Sequence, residues 1–186
     1  ATCAKLVNYP DAPSPDQSRL RPEIAAAFPT ISQDGRTYTF QIRDDFEFSP
    51  PATGFVTAQS MKYTFERTLS PELVSPGEQF FHNIVGEVEY YNGQANEITG
   101  IVAQGNTLTI HLIEPQGDFL TFLAMPFTCA VPIGLPHTEQ IAPIPSAGPY
   151  YISSWDDPTQ LLTISRNPNY HGTRPQRFDS YQYYFN

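Results

Sequence analysis

Gln33-Asp34-Gly35-Arg36-Thr37-Tyr38-Thr39-Phe40-Gln41-Ile42 opens on a turn signal and then alternates strictly, Tyr38, Phe40 and Ile42 against Thr37, Thr39 and Gln41. Side chains alternate faces along an extended backbone, so this period predicts a strand with one face buried and one face wet. Phe46 and Phe48 continue the apolar face beyond Arg43-Asp44-Asp45, until Pro50-Pro51 stops the pairing. A sheet with one solvated face needs a cover. Thr57, a good N-cap residue, is followed by Ala58, Met61, Phe65 and Leu69 at helical spacing, and Ser70-Pro71 ends the run. The spacing predicts an amphipathic helix laid on that strand.

Outward from this unit the pattern stays short. Upstream, Pro10, Asp11, Pro13 and Pro15 make Asn8 to Arg21 a loop after a short segment at Ala4 to Val7. Pro22 and the alanines that follow predict a helical turn over Glu23 to Phe28, closed by Pro29. Downstream, Glu78 to Ile84 reads as another turn of helix. Ile98 to Val102 and Thr107 to Leu112 read as a hairpin around Gln104-Gly105-Asn106. Gly117-Asp118 caps a helix from Phe119 to Met125, and four prolines between Pro132 and Pro145 mark an irregular connection. Tyr150 to Trp155 and Leu161 to Arg166 pair across Asp156-Asp157-Pro158, and the chain closes in Tyr181 to Phe185. Strands with a few short helices between them predict an α+β fold, mixed α and β, rather than a sandwich.

Composition narrows the function. With 186 residues, 40% of them hydrophobic, the chain can build a core. Its 10 Lys and Arg against 19 Asp and Glu leave a net charge of −9, which removes the electrostatic basis for nucleic-acid binding. The longest apolar stretch, near Phe119 to Met125, falls far short of the ~20 residues of a membrane helix. The first residue is not Met and the last run is apolar, so both ends read as boundaries within a longer protein.

Catalytic signals are thin. Asp44-Asp45 and Asp156-Asp157 are adjacent carboxylates that diverge on an extended backbone, which suits strand ends and turns. His82, His111, His137 and His171 are scattered, and the sequence holds no GxSxG elbow, phosphate loop or HExxH. No catalytic residue, cofactor or metal site is expected. Cys3 and Cys129 lack CxxC spacing and a nearby histidine to complete a tetrad. They read as a long-range disulfide in an exported protein or as two buried thiols in a cytosolic one, and lipidated Cys3 would need an apolar leader. The disulfide is the reading adopted. The adjacent rings Phe80-Phe81, Tyr90-Tyr91, Tyr150-Tyr151 and Tyr183-Tyr184 predict one ring inward and its neighbour outward.

Several segments carry a resemblance. Arg21-Pro22-Glu23-Ile24-Ala25, Asp34 to Arg43, Phe46-Glu47-Phe48-Ser49 and Val56 to Arg67 come in that order. Gly148-Pro149-Tyr150-Tyr151 with Trp155, then Arg166-Asn167-Pro168-Asn169-Tyr170-His171-Gly172-Thr173-Arg174-Pro175, follow them. Together they resemble the family 5 extracellular solute-binding proteins, the peptide, oligopeptide and nickel-type receptors of ABC importers. The loop Ser49 to Gly54, with its two prolines, departs from the family by being longer and stiffer.

The resemblance implies a type II periplasmic-binding-protein-like fold, present in part. Residues 7–142 would be the second lobe, with 1–6 and 143–186 as pieces of the first. It implies a non-catalytic receptor, extracellular or periplasmic, or membrane-anchored through a segment before Ala1. Such a receptor captures a peptide-like or other small solute for an ABC permease. The alternative is an extracellular sensing or interaction module of a signalling protein. In some relatives an aromatic after the main helix reaches the ligand; here that neighbourhood holds Gly77, Phe80 and Phe81, so Phe80 and Phe81 are the ligand-binding candidates.

Overall fold

The computed structural model describes residues 2–11, 13–137 and 143–185. Its elements begin with strands β1 (Val7–Asn8), β2 (Arg21–Pro22), β3 (Thr30–Ile31) and β4 (Thr37–Gln41), then helices α1 (Ala58–Thr68) and α2 (Glu87–Tyr91). The hairpin β5 (Ile101–Gln104) and β6 (Thr107–His111), helix α3 (Phe119–Leu123) and strands β7 (Tyr150–Asp156), β8 (Leu161–Arg166) and β9 (Ser180–Tyr184) follow. They form antiparallel sheets in the orders β1-β2, β3-β4-β6-β5 and β7-β8-β9.

The alternating strand sets the register of the middle sheet. Tyr38 lies opposite Ile110 and Phe40 opposite Leu108, and all of these side chains are buried, so the apolar rows of the two strands share one face. Helix α1 packs on β5 and β6 across that face. Its Ala58, Met61 and Phe65, with Leu69 just beyond, are essentially inaccessible to solvent, as the spacing predicts. Thr57 caps it reciprocally with Ser60: the Ser60 N–H donates to Thr57 Oγ1 at 3.1 Å, and the Thr57 N–H donates to Ser60 Oγ at 2.8 Å. Two helix-end donors are thereby satisfied. Thr57→Ala is expected to lower unfolding free energy by about 1 kcal/mol in urea denaturation.

Four expectations about local structure change. Glu23 to Phe28 is not a helical turn: Ala25 bridges Ile42, the Ile24 N–H donates to Lys5 O at 2.9 Å, and the Ala26 N–H donates to Gln41 O at 2.8 Å. Partners on two neighbouring extended segments outweigh the helical preference of alanine. The turn after the main helix shortens to a 3-10 turn over Glu78–Phe80, and Asp118 stands at the N-cap of α3 without a side-chain capping bond. The ring pairs split by burial at Phe81, Tyr90 and Tyr150, whereas Tyr183 and Tyr184 are both exposed on β9, an edge strand. Helix α2 carried no sequence signal; it follows Gly86, whose φ of +79° reverses the chain where a Cβ would lie 2.3 Å from Thr99 Oγ1.

The N-terminal segment is tied into this body. A disulfide joins Cys3 to Cys129, with Cα atoms 5.1 Å apart. The Ala130 N–H donates to Ala4 O at 2.9 Å beside it, and the buried Lys5 ammonium donates to Ala124 O at 2.7 Å. Burial pulls the Lys5 pKa down while the Glu23 carboxylate works against that shift. Arg174 closes the arrangement, donating to Cys3 O at 2.7 Å, to Glu23 at 3.3 Å and to Asp11 at 2.9 Å. Burial disfavours its charge, but Glu23 and Asp11 hold its pKa up. Glu23 and Arg174 thus join the earliest and latest of the segments that carry the family resemblance.

Candidate functional site

Beside the disulfide lies an open groove of about 300 Å³. Its walls come from distant parts of the chain: Thr2 and Cys3, the end of α1 at Arg67 and Thr68, Leu73 and Ser75 after it, the segment Pro126 to Val131, and Ile144 to Ser146 with Ile152 of β7. One face of α1 explains why the proline-rich connection can run here without a ladder of its own. Thr68 Oγ1 donates to Phe127 O at 2.8 Å, Thr64 Oγ1 accepts the Val131 N–H at 3.1 Å, and Arg67 Nε donates to Pro136 O at 3.0 Å. The Tyr63 hydroxyl donates to Leu135 O. Positions 63, 64, 67 and 68 share a helical face, so a polar row beside the apolar stripe serves the backbone groups of an irregular wall. That row is visible in the sequence, but only the fold shows what it meets.

The predicted ligand rings stand in different environments. Phe81 is fully buried, edge-on to Phe65 with centroids 5.8 Å apart. Phe80 is partly buried, stacked on Phe127 at 6.1 Å and tilted against Phe122 at 5.3 Å. Phe127 is a groove residue, so Phe80 lies behind the wall rather than forming it. Gly77 permits this stack, because a Cβ there would come within 2.4 Å of the Phe127 ring. The ring of Phe127 occupies the space that a side chain at position 77 would take.

No carboxylate or imidazole lines the groove among the described residues. Its cation, Arg67, is buried, and burial lowers its pKa, though a guanidinium stays charged. Ser146 lines the groove, and its Oγ is buried with no hydrogen-bond partner among the described residues. Nearby His137 packs against the Tyr63 ring at 5.5 Å, its pKa lowered by burial and then by the charge of Arg67.

The other titratable candidates stay apart. His111 Nδ1 lies 3.1 Å from Thr37 Oγ1 on the middle sheet, His171 is exposed in a loop, and His82 lies between Glu78 and Glu87. The aspartate pairs serve local structure: Asp45 takes the Arg43 guanidinium, and Asp157 accepts the Trp155 N–H at 3.1 Å. Arg43 therefore pairs locally, two residues away. No helix among the described residues is long and apolar enough to cross a membrane.

Comparison with known proteins matches the shape of this chain. Residues 19–185 match the family model described as bacterial extracellular solute-binding proteins, family 5 Middle, and the chain belongs to that family. It is 27% identical over 165 residues to the dipeptide-binding protein of Escherichia coli (strain K12), covering 78% of this chain and 29% of that protein. It is 28% identical over 150 residues to the periplasmic oligopeptide-binding protein OppA of the same organism, covering 75% of this chain and 27% of that protein.

Among solved structures, a periplasmic oligopeptide-binding protein from Borrelia burgdorferi superposes with a TM-score of 0.78 at 25% identity, over 98% of this chain and 37% of the other. Listeria monocytogenes OppA bound to peptide gives 0.77 at 21% identity, over 91% and 34%. The fold is thus that of family 5 periplasmic binding proteins, and this chain spans less than a third of the curated relatives quoted.

Proposed function

We propose that this chain is part of an exported, non-catalytic receptor, extracellular or periplasmic, that captures a peptide-like or other small solute and delivers it to an ABC permease. The observation that carries this reading is the family match over residues 19–185, with relatives named for dipeptide and oligopeptide binding. The groove supports it: its largely apolar walls and, among the described residues, the buried unpartnered hydroxyl of Ser146 suit holding a small solute.

In this reading residues 7–142 are the second lobe, and 1–6 and 143–186 are pieces of the first. The exposed rings of Trp155, Phe178 and Tyr184 on and beside the β7-β8-β9 sheet support its assignment to a lobe that further chain covers. Phe80 is the ligand-side candidate, acting through the stacked Phe127, and Phe81 belongs to the core beneath it.

A site that buries most of a ligand needs walls on both sides. Calorimetric titration of di- to pentapeptides into the 186-residue chain is therefore expected to give no saturable heat, while the longer protein that contains it binds. Micromolar or tighter binding by this chain alone would overturn the open-groove reading.

A further inference from the structure

We propose that Glu78, His82 and Glu87 form a binding site for a borderline divalent cation, with Zn²⁺ the best-fitting ion. Glu78 opens the 3-10 turn Glu78–Phe80, His82 stands four residues on, and Glu87 opens α2 after the chain reverses at Gly86. The reversal brings the Glu87 carboxylate back onto the imidazole, its Oε2 3.0 Å from His82 Nδ1, while His82 Nε2 lies 3.1 Å from Glu78 Oε1. One donor atom from each of the three residues lies within 4.8 Å of the others.

A second observation points to a ligand. Glu87 is wholly shielded from solvent, and its Oε1 has no hydrogen-bond partner among the described residues. Leaving a carboxylate oxygen buried and unpaired is costly, and a cation held by that carboxylate would remove the cost. The ion needs one ring nitrogen only. Nδ1 faces Glu87 Oε2 at 3.0 Å, so the ion takes the place of the proton between them, and binding through both carboxylate oxygens would also pair Oε1. Glu78, whose Oε1 now lies 3.1 Å from Nε2, would swing one oxygen round from the neighbouring turn to the ion. His82 is half exposed, which leaves the remaining coordination positions to water.

Imidazole nitrogen with two carboxylates suits zinc and its first-row neighbours, whereas calcium and magnesium prefer oxygen throughout. Bound there, the ion cross-links the 3-10 turn to α2 and holds in place the segment that carries Phe80 and Phe81.

The test uses the full chain freed of metal with EDTA. Zinc chloride titration is expected to show one ion per chain and a rise in Tm, since an ion that binds only the folded state stabilises it by mass action. His82→Gln and Glu78→Gln are each expected to weaken zinc binding by at least about tenfold with circular dichroism unchanged. Both side chains keep some solvent contact, so these variants remain informative if Glu87→Gln fails to fold. Absence of zinc binding would overturn the proposal and leave His82 as a hydrogen-bond partner of two glutamates. Zinc affinity unchanged in both variants, or calcium binding as tight as zinc, would overturn it equally.

Discussion

Replacing Cys3 and Cys129 together with serine is expected to lower the unfolding free energy by about 4–5 kcal/mol, the chain-entropy value for so long a loop. The bridge joins residues 126 apart in sequence, so its loss frees most of the chain in the unfolded state. In the folded state the same ends remain held by the Ala130 N–H on Ala4 O, the Gly148 N–H on Thr2 O and Arg174 on Cys3 O. The native structure therefore survives the change, and the effect falls on the unfolded ensemble. Guanidinium denaturation reads it as a lower midpoint, with a steeper slope as the unfolded chain expands. Reduced wild-type protein should behave like the double serine variant, and intact mass should rise by two hydrogens on reduction. A midpoint unmoved by either change would show that the bridge does not constrain the unfolded chain.

Phe81→Ala is expected to cost about 3–5 kcal/mol, the range for deleting a fully buried ring. Its ring meets Phe65 of α1 edge-on, so truncation opens a cavity under the helix that covers the middle sheet. Phe80→Ala, at a partly exposed position, is expected to cost only about 1–1.5 kcal/mol by area lost. The order reverses for function. In the peptide receptor proposed above, loss of Phe80 would free Phe127 to move and should weaken peptide binding, whereas Phe81→Ala should act on stability first. Urea denaturation of both variants beside peptide titration separates the two roles. Equal stability costs, or peptide affinity indifferent to Phe80→Ala, would refute the division.

The elements that could be read from the chain are those whose signal is local. Tyr38, Phe40 and Ile42 alternate because one face of β4 is buried, and the α1 stripe repeats because that helix lies on a sheet. Turn chemistry placed the β5-β6 and β7-β8 hairpins. Glu23 to Phe28 carries a helical composition yet forms no helix, because its hydrogen-bond partners, Lys5, Leu6 and Gln41, belong to other segments that its own composition does not reveal. Helix α2 escaped because five residues hold too little periodicity to register. For the proposed site, the family resemblance points to Phe80 and Phe81, but the difference in their surroundings depends on Phe127 and Phe65.

Composition and pattern were enough to point to a mixed α and β chain with an acidic net charge, few catalytic signals and two cysteines free to pair. They were enough because burial periodicity, turn residues and net charge act over a few residues or over the whole chain at once. The groove, the pairing of Glu23 with Arg174 and the meeting of Glu78, His82 and Glu87 required the tertiary structure. Each is made by side chains whose separation in space is set by how sheets, turns and the Cys3–Cys129 bridge close on one another, and no spacing along the chain encodes that distance.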